Sequence, residues 1–142
     1  MDLTLYNNKK FDFDKEKIKE IKKFTLLGNV WAYCNKVIDG DSIQVCFYIH
    51  NEIFRFSVRL DGIDTPELRS KNIKEKKFAK EIKKYLKSMI ENDFVNLELL
   101  KFDKYGRILA NVYYNNESIN KLLVDRGYAK IYSGGTKEKW FE

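Results

Sequence analysis

The strongest constraint on the fold is an alternation of apolar and polar side chains between residues 43 and 60, interrupted by one polar turn at residues 50–52. The apolar positions are Ile43, Val45, Phe47, Phe54, Phe56, Val58 and Leu60. Successive side chains of a β-strand point to opposite faces, so a period of two indicates strands with one buried face. The segment therefore predicts two antiparallel strands, and an apolar run within residues 30–38 predicts a third strand before them.

Helical spacing replaces this alternation after a break at residues 64–67. The apolar residues that fall on one face of a helix are Phe78, Ile82, Tyr85, Leu86 and Met89, and they predict a helix over residues 73–91. The remaining predicted elements are strands at residues 94–100 and 107–114, a short helix between Ser118 and Gly127, and an edge strand at residues 128–132. Three strands, a helix, two strands and a helix predict a mainly β (α+β) fold, a five-stranded Greek-key barrel of the oligonucleotide-binding (OB) type.

The chain before the barrel predicts a separate short helix. Asp14 is a suitable N-cap, and Ile18, Ile21 and Phe24 make an apolar stripe, so residues 14–23 are expected to form a helix that packs on the domain edge. We divide the chain into an extension at 1–24, a barrel domain at 25–135 and a tail at 136–142. With 44% hydrophobic residues, such a domain buries a core without disulfides or structural metal.

Several classes of protein are disfavoured. No apolar run approaches the roughly 18 residues that a membrane span needs, so we expect no membrane partner. Residues 1–10 have no basic start followed by an apolar stretch, so we expect an intracellular protein, although secretion of a processed form remains open. Cys34 and Cys46 lie in strand-like segments and are interpreted as buried free thiols. No obligate protein partner is evident.

The positive charge is concentrated in one segment. Residues 71–87 contain eight lysines and two glutamates, a net +6 that equals the formal charge of the whole chain. A basic face suits a polyanion such as nucleic acid. A solvated helix face rich in lysine has the same composition, so charge alone leaves both interpretations open.

The residues available for catalysis are few. His50 is the one histidine, and it falls in a predicted surface turn, which disfavours histidine general bases and His-rich zinc sites. Two separated cysteines do not make a zinc site of the usual spacing. Hydrolysis by this chain would therefore depend on carboxylates, arginines and a hard metal ion.

Carboxylates occur where predicted strands end. Asp41 follows the turn glycine of the first hairpin, and Asp64 and Glu67 flank Thr65 and Pro66. Proline favours extended backbone at Thr65 and a tight turn after it, which would free the Thr65 carbonyl and hold Glu67 near Asp64. Two carboxylates and a carbonyl, completed by waters and a phosphate oxygen, make a suitable oxygen shell for Ca²⁺.

Two arginines occupy related positions. Arg59 lies five residues before Asp64 on the polar side of its strand, and Arg107 follows the turn glycine Gly106. A guanidinium group is permanently charged and binds phosphate through two parallel hydrogen bonds. An isolated arginine on a strand is usually a solvated surface residue. The functional interpretation of this pair is therefore supported only together with the motifs described next.

Three segments resemble the motifs of the staphylococcal nuclease (thermonuclease) family, in the same order. They are residues 37–42 (VIDGDS, with serine where threonine is usual), 59–67 (RLDGIDTPE) and 103–107 (DKYGR). The resemblance extends from about residue 30 to 132. Two features depart from the family: a further C-terminal helix has no counterpart before Glu142, and the tyrosines of the nucleotide pocket have no obvious match in register.

The resemblance implies a set of roles. Asp41 and Asp64 would ligate Ca²⁺ with the Thr65 carbonyl, and Glu67 would orient or deprotonate the attacking water. Arg59 and Arg107 would act in catalysis by binding the phosphate and stabilising its developing charge. Tyr132 is the nearest substitute for a nucleotide-pocket tyrosine.

The same resemblance implies a Ca²⁺-dependent nuclease that acts on DNA or RNA, prefers single strands and leaves 3′-phosphate and 5′-hydroxyl ends. Two alternatives are a non-catalytic nucleic-acid-binding module on the same barrel and a purely structural or interaction barrel. Degenerate domains are expected to lose site residues, whereas this chain keeps both arginines and all three carboxylates. That retention favours the enzyme.

Overall fold

Five long strands dominate the structure, a computed structural model that describes residues 1–7 and 9–142. In chain order the elements are β1 (Gly28–Asp39), β2 (Ser42–Ile49), β3 (Glu52–Leu60), β4 (Ile63–Asp64), α1 (Ile73–Ile90), β5 (Asp93–Phe102), β6 (Ile108–Tyr114), β7 (Glu117–Ser118), α2 (Ile119–Asp125) and β8 (Lys130–Ile131). Two 3-10 helices, Thr4–Tyr6 and Lys15–Glu20, precede β1. No helix in the described part of the chain is long and apolar enough to cross a membrane.

The long strands close into a barrel. Their order is β3-β2-β1-β5-β6, and a parallel pairing of β3 with β6 completes the circle. The other four contacts between neighbouring long strands are antiparallel. The predicted five-stranded OB-type barrel, with one helix between its third and fourth strands and another after its fifth, is therefore confirmed.

Strand β1 belongs to both halves of the barrel. Its first part, Gly28–Cys34, pairs with β5, and its second part pairs with β2 as far as Asp39. Two register shifts interrupt the β1–β2 pairing, and such bulges bend a strand and increase its twist. The bend lets one strand close the barrel and still end in the turn that carries Asp41.

The barrel interior takes the inward-facing side chains of the alternating strands, and α1 packs across it. Ile82 and Leu86 of the predicted apolar face are fully buried, together with Ala79 and Ile90. The other three residues of that face are half-buried against the core: Phe78, Tyr85 and Met89. Asn72 caps α1 by accepting a hydrogen bond from the Glu75 backbone N–H at 3.1 Å. Helix α1 thereby fixes the end of the 65–72 loop.

Both cysteines are free thiols, as predicted, but they differ in exposure. Cys34 is fully buried within the core and Cys46 is only half-buried. Burial raises the pKa of the Cys34 thiol to about 11, so this group stays protonated at neutral pH.

The N-terminal helix differs from the prediction. Asp14 does cap it, accepting from the Glu16 backbone N–H at 3.0 Å, but the helix is a 3-10 helix confined to Lys15–Glu20 with no buried residue. The expected packing of Ile18 and Ile21 is wrong, since both side chains are more than half exposed. Side chains at i and i+3 eclipse in a 3-10 helix, so a short one offers little apolar area. Of the three apolar residues of the predicted stripe, Phe24 contacts the barrel, stacking on Phe102 at 6.4 Å between ring centroids.

Candidate functional site

The loop after β3 is anchored on both sides by backbone hydrogen bonds. Leu60 N–H donates to the Asp41 carbonyl and Asp61 N–H donates to the Ala110 carbonyl, both at 2.9 Å. The buried side chain of Asn120 adds a third tie, since its Nδ2 donates to the Asp61 carbonyl at 2.8 Å and its Oδ1 accepts from Val112 N–H. Sequence reasoning missed Asn120, whose only signal was a polar residue on the apolar face of α2.

Asp41, Arg59 and Thr65 meet at this loop. Oδ2 of Asp41 accepts from the Thr65 backbone N–H at 3.3 Å and lies 3.5 Å from Nη2 of Arg59. The Arg59 guanidinium also donates to the carbonyls of Leu60 and Ile63, at 2.8 and 2.9 Å. All three site residues have low exposure. Arg59 therefore braces the loop as well as the Asp41 carboxylate.

Gly40 permits this close approach. A Cβ at position 40 would lie 2.8 Å from Cγ2 of Ile82, and 3.0 and 3.1 Å from Oγ1 and Cβ of Thr65. These distances are shorter than van der Waals contact, and both neighbours are buried. The glycine between Asp39 and Asp41 is thus needed for packing against α1 and the 64–67 loop.

The first turn holds a second carboxylate that sequence reasoning did not assign to the site. Oδ1 of Asp39 accepts from the Asp41 backbone N–H at 3.1 Å. Burial and then the nearby charge of Asp41 raise the pKa of Asp39 to about 7. Adjacent carboxylates that lack an equal counter-charge favour a cation or a proton between them.

Asp64, which precedes Thr65 in the chain, is buried. Its Oδ1 has almost no solvent access and accepts no directed hydrogen bond in the described part of the chain, yet Nζ of Lys137 lies 3.0 Å away. The same ammonium lies 3.4 Å from Oε1 of Glu67. Partial burial acts to lower the pKa of Lys137, but Asp64 and Glu67 raise it above its ordinary value. The two carboxylates therefore share one lysine cation.

Glu67 is exposed and held through its backbone. Its N–H donates to Oε2 of Glu75 at 2.8 Å, so the capped first turn of α1 positions the residue. Sequence reasoning missed Glu75 and Lys137 as members of the site. The pattern Asn72-x-x-Glu75 is a capping signal that can be seen in the sequence. Lys137 and Glu67 lie 70 positions apart, so no local pattern indicates their contact.

The predicted acidic residues do not form a single cluster. Among residues 1–7 and 9–142, no three His, Cys, Asp or Glu side chains are grouped closely enough to hold a metal ion by themselves. Asp41 meets Thr65 directly, and Asp64 meets Glu67 through Lys137. Thr65 therefore links the two parts of the site: its backbone N–H contacts Asp41, and it follows Asp64 directly in the chain.

Both predicted arginines and Tyr132 line one cavity of about 480 Å³. Nε of Arg107 donates to Oδ2 of Asp103 at 2.7 Å, and its terminal amino groups make no hydrogen bond to any described residue. Partial burial acts to raise the pKa of Asp103, but hydrogen bonds from Arg107 and Tyr105 lower it overall. Asp103 is therefore a stable anion that holds the guanidinium by one edge.

Tyr132 connects this cavity to the acidic side. Its backbone N–H donates to the Gly62 carbonyl at 2.8 Å, and β8 pairs with β4 through Asp64 opposite Lys130. Tyr132 and Asp64 together line a second, smaller cavity of about 150 Å³. The predicted strand at residues 128–132 is thus reduced to Lys130–Ile131, but it still brings Tyr132 to the site.

Comparison with known proteins adds an independent finding. A family model described as staphylococcal nuclease homologue matches residues 57–140, more than half of the chain. The thermonuclease of Staphylococcus hyicus is 35% identical over 97 residues, which cover 67% of this chain and 55% of that protein.

Two further relatives are similar over a comparable share of the chain. Endonuclease YncB of Bacillus subtilis is 30% identical over 109 residues, 72% of this chain and 50% of its own. The uncharacterized protein MJ1439 of Methanocaldococcus jannaschii is 31% identical over 121 residues, 68% and 56% respectively. This chain spans about half the length of these relatives.

Proposed function

The chain belongs to the staphylococcal nuclease family, and on that premise we propose that it is a nuclease that hydrolyses phosphodiester bonds of DNA or RNA. One observation carries the proposal: Arg59 and Arg107 line the same cavity, and Arg59 lies 3.5 Å from the buried carboxylate of Asp41. Guanidinium groups bind phosphate and buried carboxylates bind a hard cation, so this arrangement suits both ligands together.

The arginines would bind the scissile phosphate. The Arg107 guanidinium is held by Asp103 through Nε alone, so its two terminal amino groups are available to the phosphate oxygens. Arg59 uses two N–H groups to brace the loop and keeps others for the ligand. Because negative charge builds on the phosphate oxygens in the transition state, donors held in place by other contacts stabilise that state more than the ground state.

A divalent cation, Ca²⁺ in our proposal, would be held by Asp41, Asp64 and the Thr65 carbonyl. The residues fit this role, since Oδ1 of Asp64 is buried without a directed hydrogen bond from any described residue and the ammonium of Lys137 already lies beside it. Oxygen ligands of this kind suit a hard cation. When bound, the cation would supply Lewis acidity and neutralise phosphate charge.

Glu67 would orient the attacking water or accept its proton. Its side chain is 61% exposed, so solvent water reaches it, and the hydrogen bond from its backbone to Glu75 fixes its position on the loop. Attack on phosphorus opposite the 5′ oxygen would leave 3′-phosphate and 5′-hydroxyl ends. Unpaired strands are the favoured substrate, because a single strand more easily presents its phosphate to a recessed cavity.

Cleavage of end-labelled oligonucleotides tests the proposal. Single- and double-stranded DNA and RNA would be incubated with Ca²⁺, Mg²⁺ or excess chelator, and product ends identified by their reactivity toward phosphatase and polynucleotide kinase. We expect cleavage of single strands with Ca²⁺, 3′-phosphate products and none with chelator. Tight binding without cleavage in any condition would instead indicate a nucleic-acid-binding module. Undiminished cleavage in chelator would remove the cation from the mechanism.

A further inference from the structure

Lys137 has no role in the reaction outlined above, yet its ammonium lies close to two of the proposed site carboxylates, Asp64 and Glu67. Its Nζ lies 3.0 Å from the buried Oδ1 of Asp64 and 3.4 Å from Oε1 of Glu67. Asp64 is 4% exposed and Oδ1 has no directed hydrogen bond from the described residues. A buried carboxylate without a partner is costly, so the ammonium stabilises this residue.

The segment that carries Lys137 is fixed at several points. The Tyr132 hydroxyl donates to the Gly135 carbonyl and Nζ of Lys130 donates to the Lys139 carbonyl, both at 2.7 Å. Trp140 then packs edge-on against Phe78 of α1, with ring centroids 5.9 Å apart. These contacts on both sides of Lys137 hold its side chain toward the two carboxylates.

We propose that Lys137 is an internal counter-cation that holds the carboxylates of Asp64 and Glu67 in place before a divalent cation binds, and that must withdraw from Asp64 when it does. This inference rests on the proposed function, because it takes Asp64 as a ligand of the cation. An ammonium 3.0 Å from Oδ1 of Asp64 repels a metal ion bound to the same carboxylate, because both carry positive charge. Lys137 therefore lowers the affinity of the site for the cation.

The arrangement also makes Lys137 a determinant of cation choice. An ammonium contributes one charge and hydrogen-bond donors, so it is displaced more readily by a divalent than by a monovalent cation. Its side chain is 42% exposed, so it withdraws toward water at little cost. Release from Asp64 would leave Lys137 paired with Glu67 alone.

Calorimetric titration with Ca²⁺ tests the proposal without reference to cleavage. Lys137→Met removes the charge and keeps much of the side-chain length, and Lys139→Met makes the same change in net charge two residues along the segment. We expect Lys137→Met to bind Ca²⁺ about five-fold more tightly than the parent, the factor that a partly exposed ion pair provides, and Lys139→Met to bind like the parent. Added Ca²⁺ should also raise the melting temperature of Lys137→Met more than that of the parent.

The possible outcomes distinguish the role of Lys137 from the assignment of the cation site. If the parent binds Ca²⁺ and Asp64→Asn does not, but Lys137→Met binds no more tightly than Lys139→Met, the counter-cation role is wrong and the proposed function stands. Weaker binding by Lys137→Met overturns the role equally. If the parent binds no Ca²⁺ at saturating concentration, the assignment of the metal in the proposed function fails, and the role of Lys137 fails with it.

Discussion

Gly40→Ala provides a test of how tightly the two halves of the site are packed. The added methyl would meet Cγ2 of Ile82 at 2.8 Å and the Thr65 side chain at 3.0 and 3.1 Å. Ile82 is 0% and Thr65 3% exposed, so neither moves into solvent and the turn must shift instead. Overpacking of this kind costs about 1–3 kcal/mol, and the lower entropy of the unfolded alanine chain offsets about 0.4–1 kcal/mol of it.

The expected net loss is about 1–2 kcal/mol in the free energy of unfolding, which lowers the melting temperature of a chain of this size by about 3–8 °C. Because the turn that shifts also carries Asp41, a proposed ligand of the cation, affinity for Ca²⁺ should fall as well. Denaturant unfolding and calorimetry measure the two effects. In an Ile82→Ala background the shortest contact is gone, so a double-mutant cycle should show a smaller cost for Gly40→Ala.

Gly127→Ala is the matched control. Gly127 has φ +75° with open space around the added methyl, so alanine there costs about 1 kcal/mol through backbone strain, and α2, which it follows, contributes no predicted cation ligand. We expect a similar loss of stability with unchanged Ca²⁺ affinity. A Gly40→Ala variant as stable as the parent and equally able to bind Ca²⁺ would refute the packing described for Gly40.

Three other expectations follow from single contacts. Arg107→Lys and Glu67→Gln should each lower kcat by at least about 100-fold, with unfolding free energies within about 0.5 kcal/mol of the parent; parent-like kcat in either variant contradicts its role. In the native protein a thiol reagent should modify half-buried Cys46 and leave Cys34 unmodified until unfolding; equal rates would contradict the burial of Cys34. Three lysines of α1 line a shallow hollow together with Leu68 and form no ion pair with any described residue: Lys80, Lys83 and Lys84. Their joint replacement by glutamine should reduce the salt slope of single-strand binding by up to about 2, whereas replacing three lysines of the N-terminal 3-10 helix, Lys15, Lys17 and Lys19, should not; equal slopes would leave the α1 face as ordinary solvated surface.

The fold could be predicted from the sequence because its main elements are defined by local periodicity. The alternation over residues 43–60 gave β2 and β3, and the apolar face of α1 gave the inserted helix. The bend of β1 and the pairing of β4 with β8 could not be predicted, because they depend on register between distant strands. The length and packing of the N-terminal helix were predicted wrongly, because a short apolar stripe does not indicate whether a surface exists to cover it.

The site residues differ in the same way, because some lie in local sequence motifs and others are brought to the site only by the fold. Asp41, Arg59 and Thr65 lie in motifs whose order and spacing carry information, and the structure places them in contact. Lys137 and Asn120 act through contacts with residues 73 and 59 positions away. A lysine in a polar tail and an asparagine in a short helix look like ordinary surface residues until the fold brings them to their partners.

In our proposal one divalent cation binds between Asp41, Asp64 and the Thr65 carbonyl, and X-ray diffraction from crystals grown with Ca²⁺ tests this most directly. We predict a single strong peak of anomalous density about 2.3–2.6 Å from oxygens of these three residues, with Nζ of Lys137 moved away from Asp64. A saturated crystal with no such peak, or with the cation bound elsewhere on the barrel, would contradict the account.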